Sequence, residues 1–221
     1  MKWAMERADV DRTFGEAAQA RIAQAVGRAE ALSRGQLVPV VVEKADAYPE
    51  VRYRGALLAA ALAAGVALAM GLPLGAGELV LLELAAGGAG ALFSLWDPVE
   101  RLLVGRRALE EAARARAVRA FHEHGLHRTA EGTGVLVFAA LFERQAVVLA
   151  DRGIHEKVGD EAWSEAVAAL TAGLRGGDPG QGFVDAVAAC GARLAVHFPR
   201  DPAAPVPPQN ELADAIRVER S

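Results

Sequence analysis

The sequence predicts an α/β protein with a small mixed sheet, interrupted by two helices that cross a membrane. Three observations carry that expectation. Residues 36–43 (QLVPVVVE) form a β-branched run of strand length. Residues 133–151 (TGVLVFAALFERQAVVLAD) hold two apolar runs that meet at Glu143-Arg144, as a β-hairpin does. Between these two strand regions lies GALLAAALAAGVALAMGLPLGAG, Gly55 to Gly77, without a single charged residue.

Taken in order, residues 11–34 space Phe14, Ala17, Ala18, Ile22, Ala25, Val26, Ala29 and Leu32 as one face of a helix, with Gly35 placed as its C′ residue. In the strand that follows, Pro39 cannot donate to a ladder, so an exposed edge or a bulge is expected there. KADAYPEVR (Lys44 to Arg52) reads as a polar loop. After the apolar region, Asp97-Pro98 has the form of an N-cap followed by a first-turn proline. One helix should run from there to about His124, with Leu102, Leu109, Ala113, Ala117 and Phe121 inward. Its opposite face carries Arg106, Arg107, Arg114, Arg116 and Arg119 and faces solvent or anionic headgroups. Beyond the hairpin come a short helical turn at residues 153–157 and an amphipathic helix over 160–175, ended by Gly176-Gly177. A last helix starts at Asp178-Pro179 and stops at His197-Phe198-Pro199. The tail from Arg200 to Ser221 is Pro-rich and reads as extended, with Asn210-Glu211-Leu212 its one ordered element.

A strand-helix-strand crossover followed by a hairpin makes a mixed sheet covered by helices. The membrane hairpin falls inside the crossover, so residues 1–52 and 97–199 should close on each other as one domain, with 53–96 as the insert and 200–221 as the tail.

A helix of about 20 residues matches a hydrocarbon layer ~30 Å thick. The second apolar run, Leu79 to Trp96, follows after a break supplied by Pro73, Gly75 and Gly77, and places Glu83 about one turn inside its helix. Gly87, Gly88 and Gly90 are expected to pack closely against Ala59 to Gly65. Lys44, Arg52 and Arg54 precede the pair, Arg101, Arg106 and Arg107 follow it, and the turn has neither Lys nor Arg. The positive-inside rule then puts both flanks in the cytoplasm: a multi-pass protein of the inner (cytoplasmic) membrane, with Tyr53 and Trp96 at the interfaces. Residues 1–16 lack the apolar segment of a secretory signal, so the N-terminus is expected to stay where it was made.

The 221 residues carry a formal net charge of −4, which gives no basic footprint for nucleic acid. The single cysteine, Cys190, excludes an internal disulfide and is expected to be a small buried residue. No G-x-x-x-x-G-K-[ST], G-x-S-x-G or H-E-x-x-H pattern occurs. Asp151 is the first site candidate: it ends the second strand of the hairpin, where loop carboxylates gather around a cation, although a helical-turn cap requires the same residue type. Asp46 follows the first strand and would join it in a calcium or magnesium site if those strand ends are adjacent. Glu143 and Arg144 are expected to set turn and register. His122, His124 and His127 could bind zinc only beyond the end of a helix, since residues two apart do not share a helical face.

The segment FHEHGLHRTAEGTGVLVFAALFERQAVVLADRGIHEKVGDEAWSEAV resembles the TPM-domain (TPM-phosphatase) family, in particular its membrane-inserted bacterial branch. Phe121, Thr129, Thr133-Gly134-Val135-Leu136, Glu143-Arg144, Ala150-Asp151-Arg152-Gly153-Ile154 and Trp163 carry the resemblance. His197-Phe198-Pro199 and Asn210-Glu211-Leu212 extend it to the tail. Ala29-Glu30, Ser33 and Gly35 resemble the family's E-x-x-[ST]-x-G-E start, with Gln36 in place of the usual Glu. The resemblance implies an α/β/α sandwich. For function it implies a mixed set: a disputed phosphatase activity, calcium binding in some members, and assistance to membrane complexes. Two functions follow as expectations. One is a non-enzymatic, membrane-anchored interaction or assembly module for other membrane or envelope proteins. The alternative is a metal-dependent phosphatase-like hydrolase; whether the chain is an enzyme stays open at this point.

Overall fold

A computed structural model describes residues 14–129, 132–158, 160–200 and 215–219. The expected start of the first helix at residues 11–13 and the element at Asn210-Glu211-Leu212 lie outside the described residues. The chain divides into two compact units, residues 1–46 with 111–221, and residues 47–110.

In the first unit a four-stranded sheet has the order β3-β2-β1-β4, with β1 Gln36–Val42, β2 Gly134–Ala140, β3 Gln145–Ala150 and β4 Arg217–Glu219. β1 runs parallel to β2 and to β4, whereas β2 and β3 are antiparallel, so the sheet is mixed as expected. The period of two along each strand assigns its side chains to two cores. Leu37, Val41, Val135, Val137 and Ala139 face α1 (Glu16–Leu32), α7 (Ser164–Gly176) and α8 (Pro179–His197), meeting Ile22, Val26, Leu170, Phe183, Val187 and Leu194. Val38, Val40, Leu136 and Phe138 face the opposite way, onto Ala113, Ala117, Ala120 and Phe121. Helices on both faces of the sheet give the α/β/α sandwich. Cys190 is fully buried in the first core, and desolvation pushes its thiol up to about 12, so it packs as a small apolar residue.

Some of the expected detail differs. In α1, Ala17 and Leu32 are exposed while Ile22 and Val26 are buried, as is Phe14 just before the helix. Gly35 does not end the helix through a left-handed turn: Ser33 is the C-cap, and a Cβ at Gly35 would come within 2.6 Å of Leu194. A side chain at position 35 would have to displace the buried Leu194. Pro39 forms no bulge and is buried, with its ring nitrogen on the side of β1 turned away from β2. Among the described residues β4 pairs with Val40 to Val42, and none pairs with the first half of β1 on that side. The Leu37 N–H is instead taken by Glu30 Oε1 at 2.8 Å, and Pro39 presents no N–H to leave unpaired. The tail is not merely extended, because Arg217–Glu219 is the fourth strand. The last helix is capped as expected, with Asp178 Oδ1 accepting from the Gln181 N–H at 2.9 Å.

The second unit holds two long apolar helices, α2 Glu50–Ala69 and α3 Ala76–Phe93, followed by α4 Asp97–Val104. Their 20 and 18 residues make them long and apolar enough to cross a membrane, and only 17% and 6% of their most apolar windows are buried. Leu62, Leu81 and Leu84 are each more than two-thirds exposed. Gly71, in the left-handed region at φ 61°, leads out of α2, and the Gly75 N–H donates to Glu78 Oε2 at 2.9 Å as α3 begins. Because α3 starts at Ala76, Glu83 lies two turns inside it, not one. It shares the helical stripe of Gly87 and Gly90.

The glycine contact differs in its partners. A Cβ on Gly90 would collide with Gly55 O and Ala59 Cβ, and one on Gly87 would touch Ala56 O at 3.5 Å, while Gly88 and Gly65 meet nothing. The close approach is therefore Gly87 and Gly90 against residues 55–60. The long helix expected from Asp97 to His124 is two: Gly105, at φ 85°, separates α4 from α5 (Arg106–Glu123). Trp96 is the N-cap and Asp97 stands in the first turn. The break takes Leu102 off the inward stripe, and it is 80% exposed.

Candidate functional site

The strand register decides which candidate residues can meet. Gln36 pairs with Gly134, and Val135 with Ala150, so Gln36, Gly134 and Asp151 stand in one row at the start of the two parallel strands. Asp46 follows the other end of β1, where Val42, Ala140 and Gln145 are aligned. The two ends are about 20 Å apart at ~3.3 Å per residue. A cation site built from Asp46 and Asp151 together does not form, because β3 runs antiparallel and carries Asp151 back to the start of β1.

At Asp151, Oδ1 accepts from the Arg152 N–H at 2.7 Å and the main-chain oxygen accepts from Ile154 and His155, both at 3.0 Å. The residue thus starts α6 (Arg152–Val158), the capping role its position also suggested. Thr133 Oγ1 donates to Arg34 O at 2.9 Å, and the Thr133 N–H donates to Thr129 Oγ1 at 3.0 Å; these two threonines fasten the loop before β2 to the end of α1. Gln36 Oε1 is buried with no hydrogen-bond partner among the described residues. A calcium ion takes 6–8 oxygen ligands with several carboxylates. Among the described residues no group of three or more His, Cys, Asp or Glu side chains is placed to hold a metal ion.

At the other end, Glu143 is buried and its Oε1 accepts the Ala45 N–H at 2.9 Å, while Lys44 Nζ lies 4.4 Å from the centre of the Phe142 ring. Glu143 therefore fixes the loop after β1 as well as the β2–β3 turn, in which Arg144 adopts a left-handed φ of 58°.

The densest polar constellation was not legible as a site in the sequence. Glu219, on β4, accepts from Arg116 Nη2 and, through its other oxygen, from His124 Nε2 at 2.9 Å. Arg116 also meets Glu123 at 3.0 Å, and Arg217 Nη1 donates to His124 Nδ1 at 2.7 Å. An arginine can only donate, so Nδ1 is the acceptor and Nε2 carries the hydrogen: His124 is neutral. Its pKa is lowered by burial first and by the Arg217 charge second, against the raising pull of Glu219 and Glu123. With both ring nitrogens engaged, His124 has no free lone pair for a substrate, and the cluster works as a fastening between α5 and β4. Arg116 belongs to it and not to a solvated arginine face. His122 donates through Nδ1 to Val118 O at 2.8 Å and its ring lies 5.0 Å from that of His127, while His124 is held by Glu219 and Arg217. The one available sequence signal was the apolar-charged alternation Ile216-Arg217-Val218-Glu219, too short to stand out in a Pro-rich tail.

The family model described as the TPM domain matches residues 102–193, a narrower stretch than the resemblance read from the sequence. Among solved structures, the chain is similar to the NMR structure of BA42 protein from the psychrophilic bacterium Bizionia argentinensis. The two are 18% identical with a TM-score of 0.57, covering 93% of this chain and 95% of that one, a likeness of fold. No curated protein matches the chain. Residues 102–193 thus carry a match to the TPM domain, and the mixed sheet with its helical layers is the fold that the chain shares with the BA42 protein.

Proposed function

We propose that this chain is a membrane-anchored TPM-domain protein that acts as a non-enzymatic interaction or assembly module for other membrane or envelope proteins. In this reading α2 and α3 cross the inner membrane as a hairpin, and the α/β unit faces the cytoplasm. The observation that carries it is the exposed apolar surface of these two helices. A core helix of a water-soluble protein is mostly covered, whereas α3 buries none of its 18 residues. Water offers no partner for such a surface and a hydrocarbon layer does. Glu83 supports the same reading, because ionisable groups within a bilayer face a neighbouring helix, and it lies on the stripe that approaches α2. The distribution of Lys and Arg on either side of the hairpin supports the cytoplasmic orientation. Against a hydrolase stand the separation of Asp46 from Asp151 and the engagement of both nitrogens of His124.

Crosslinking of the full-length protein in native membranes, with identification of the products, tests the module reading; discrete adducts with other membrane proteins are expected. A phosphatase assay of the detergent-purified protein with and without divalent ions tests the alternative. Reproducible metal-dependent turnover that falls in Asp151→Ala would overturn the proposal.

A further inference from the structure

We propose that the edge of β1 over Val40 to Glu43 is a peptide-accepting site, and that the chain's own residues 216–219 occupy it as a displaceable ligand. It deepens the reading as an interaction module, on which its biological sense rests, by stating the chemistry of a partner.

The backbone pairing and the side-chain pockets of a strand-addition site are present, with the chain's own segment seated in it. The backbone of 217–219 pairs in parallel with Val40, Val41 and Val42, and the Glu43 N–H donates to Glu219 O at 3.4 Å. Alternate side chains enter two different environments. Ile216 is buried and Val218 packs beside it against the first core. On the other face Arg217 donates to His124, and the Glu219 carboxylate is received by Arg116 and His124. The site therefore selects an extended segment with apolar, basic, apolar and acidic residues in succession. It is bounded as well as specific: Glu30 occupies the Leu37 N–H and Pro39 has none, so a ligand strand cannot slide toward the start of β1. Among the described residues the present occupant is three residues long as a strand, against six or seven in the other strands of the sheet, and a short edge strand is the part of a sheet that opens most readily. An extended segment of a partner with the same pattern competes for the same row of amides and the same Arg116-His124 pair.

The test uses the full chain in detergent and a fluorescent peptide of residues 215–221 (Ala-Ile-Arg-Val-Glu-Arg-Ser). Wild type is compared with Ile216→Asp, which ejects the resident segment, and with Ile216→Asp carrying Arg116→Ala. Anisotropy should show saturable binding to Ile216→Asp, at least ten-fold weaker binding to wild type, and loss of binding with Arg116→Ala. Equal binding to all three, or none to a folded Ile216→Asp, would overturn the proposal. If Ile216→Asp does not fold, amide exchange of the wild type decides: Val41 and Glu43 must exchange faster than the amides of β2, and equal protection overturns it. Concentration-dependent dimerisation of the wild type that Ile216→Asp abolishes would overturn it too, in favour of strand exchange between two copies. Loss of crosslinks in membranes with peptide binding intact would instead count against the module reading alone.

Discussion

Helices α3 and α8 have nearly the same length, 18 and 19 residues, and each carries two Asp, Glu, Lys or Arg side chains. Yet α8 buries nine residues, Phe183, Val187, Cys190 and Leu194 among them, while α3 buries none. The difference lies in how apolar residues are arranged. In α8 they recur every three to four positions and leave a polar stripe outside, which is what packing on a sheet in water requires. In α3 leucines and alanines surround the axis, and Gly87 and Gly90 mark where α2 approaches. One helix is suited to a protein core, and the other, in the function proposed above, to lipid. The first type of apolar residue should be costly to remove and the second costly to make polar.

The largest effect is expected in the α/β core. Phe183, fully buried and 5.7 Å edge-on from Phe14, should cost about 3–5 kcal/mol when changed to alanine. Urea unfolding of the detergent-solubilised protein measures it, and Leu84→Ala, at a site 68% exposed, should leave that transition in place. Comparable losses at both sites would break the comparison. Next, Leu84→Arg should oppose insertion of α3 by about 2.5–3.5 kcal/mol, read in a membrane-insertion assay; a water-exposed helix would accept the same change without loss. Gly90→Leu should destabilise the helix pair by roughly 1–3 kcal/mol, as overpacking does, whereas Gly88→Leu faces open space and serves as the neutral control. Thermal unfolding in detergent separates the two.

The smallest effect is a pH dependence. His124 is held below its ordinary 6.5 in the fold by burial and by Arg217. As pH falls through 6.5 the unfolded chain binds the proton first, so stability present above that value is lost progressively toward the lower folded pKa. The groups facing the ring are Arg217 and Glu219 from β4 and Glu123 at the end of α5, with Arg116 bound to the same carboxylate as His124. Wild type should therefore lose more stability than His124→Gln between pH 7.5 and 5.5. A wild type that gains stability in acid would reverse the sign and remove the neutral-histidine assignment.

What the sequence made legible were the features that depend on local periodicity and composition. The strand at 36–42, the β2–β3 hairpin, the capped α8 and the apolar pair α2–α3 all announce themselves within a window of a few residues. What stayed hidden depends on pairing across the chain. Asp46 and Asp151 each follow a strand, and only the antiparallel direction of β3 shows that they lie at opposite ends. Glu219 meets Arg116 and His124 across about a hundred positions, a juxtaposition that no spacing rule encodes. Gly105 and Gly35 show the same limit on a smaller scale. One breaks a helix that its neighbours would continue, and the other is small because Leu194 is there.

The central claim is that the apolar surface of α2 and α3 lies in lipid. Alkaline carbonate extraction of membranes from cells making the full-length protein tests it most directly. The account predicts that the protein stays in the membrane pellet and leaves it only with detergent. Release into the soluble fraction by carbonate alone would contradict it.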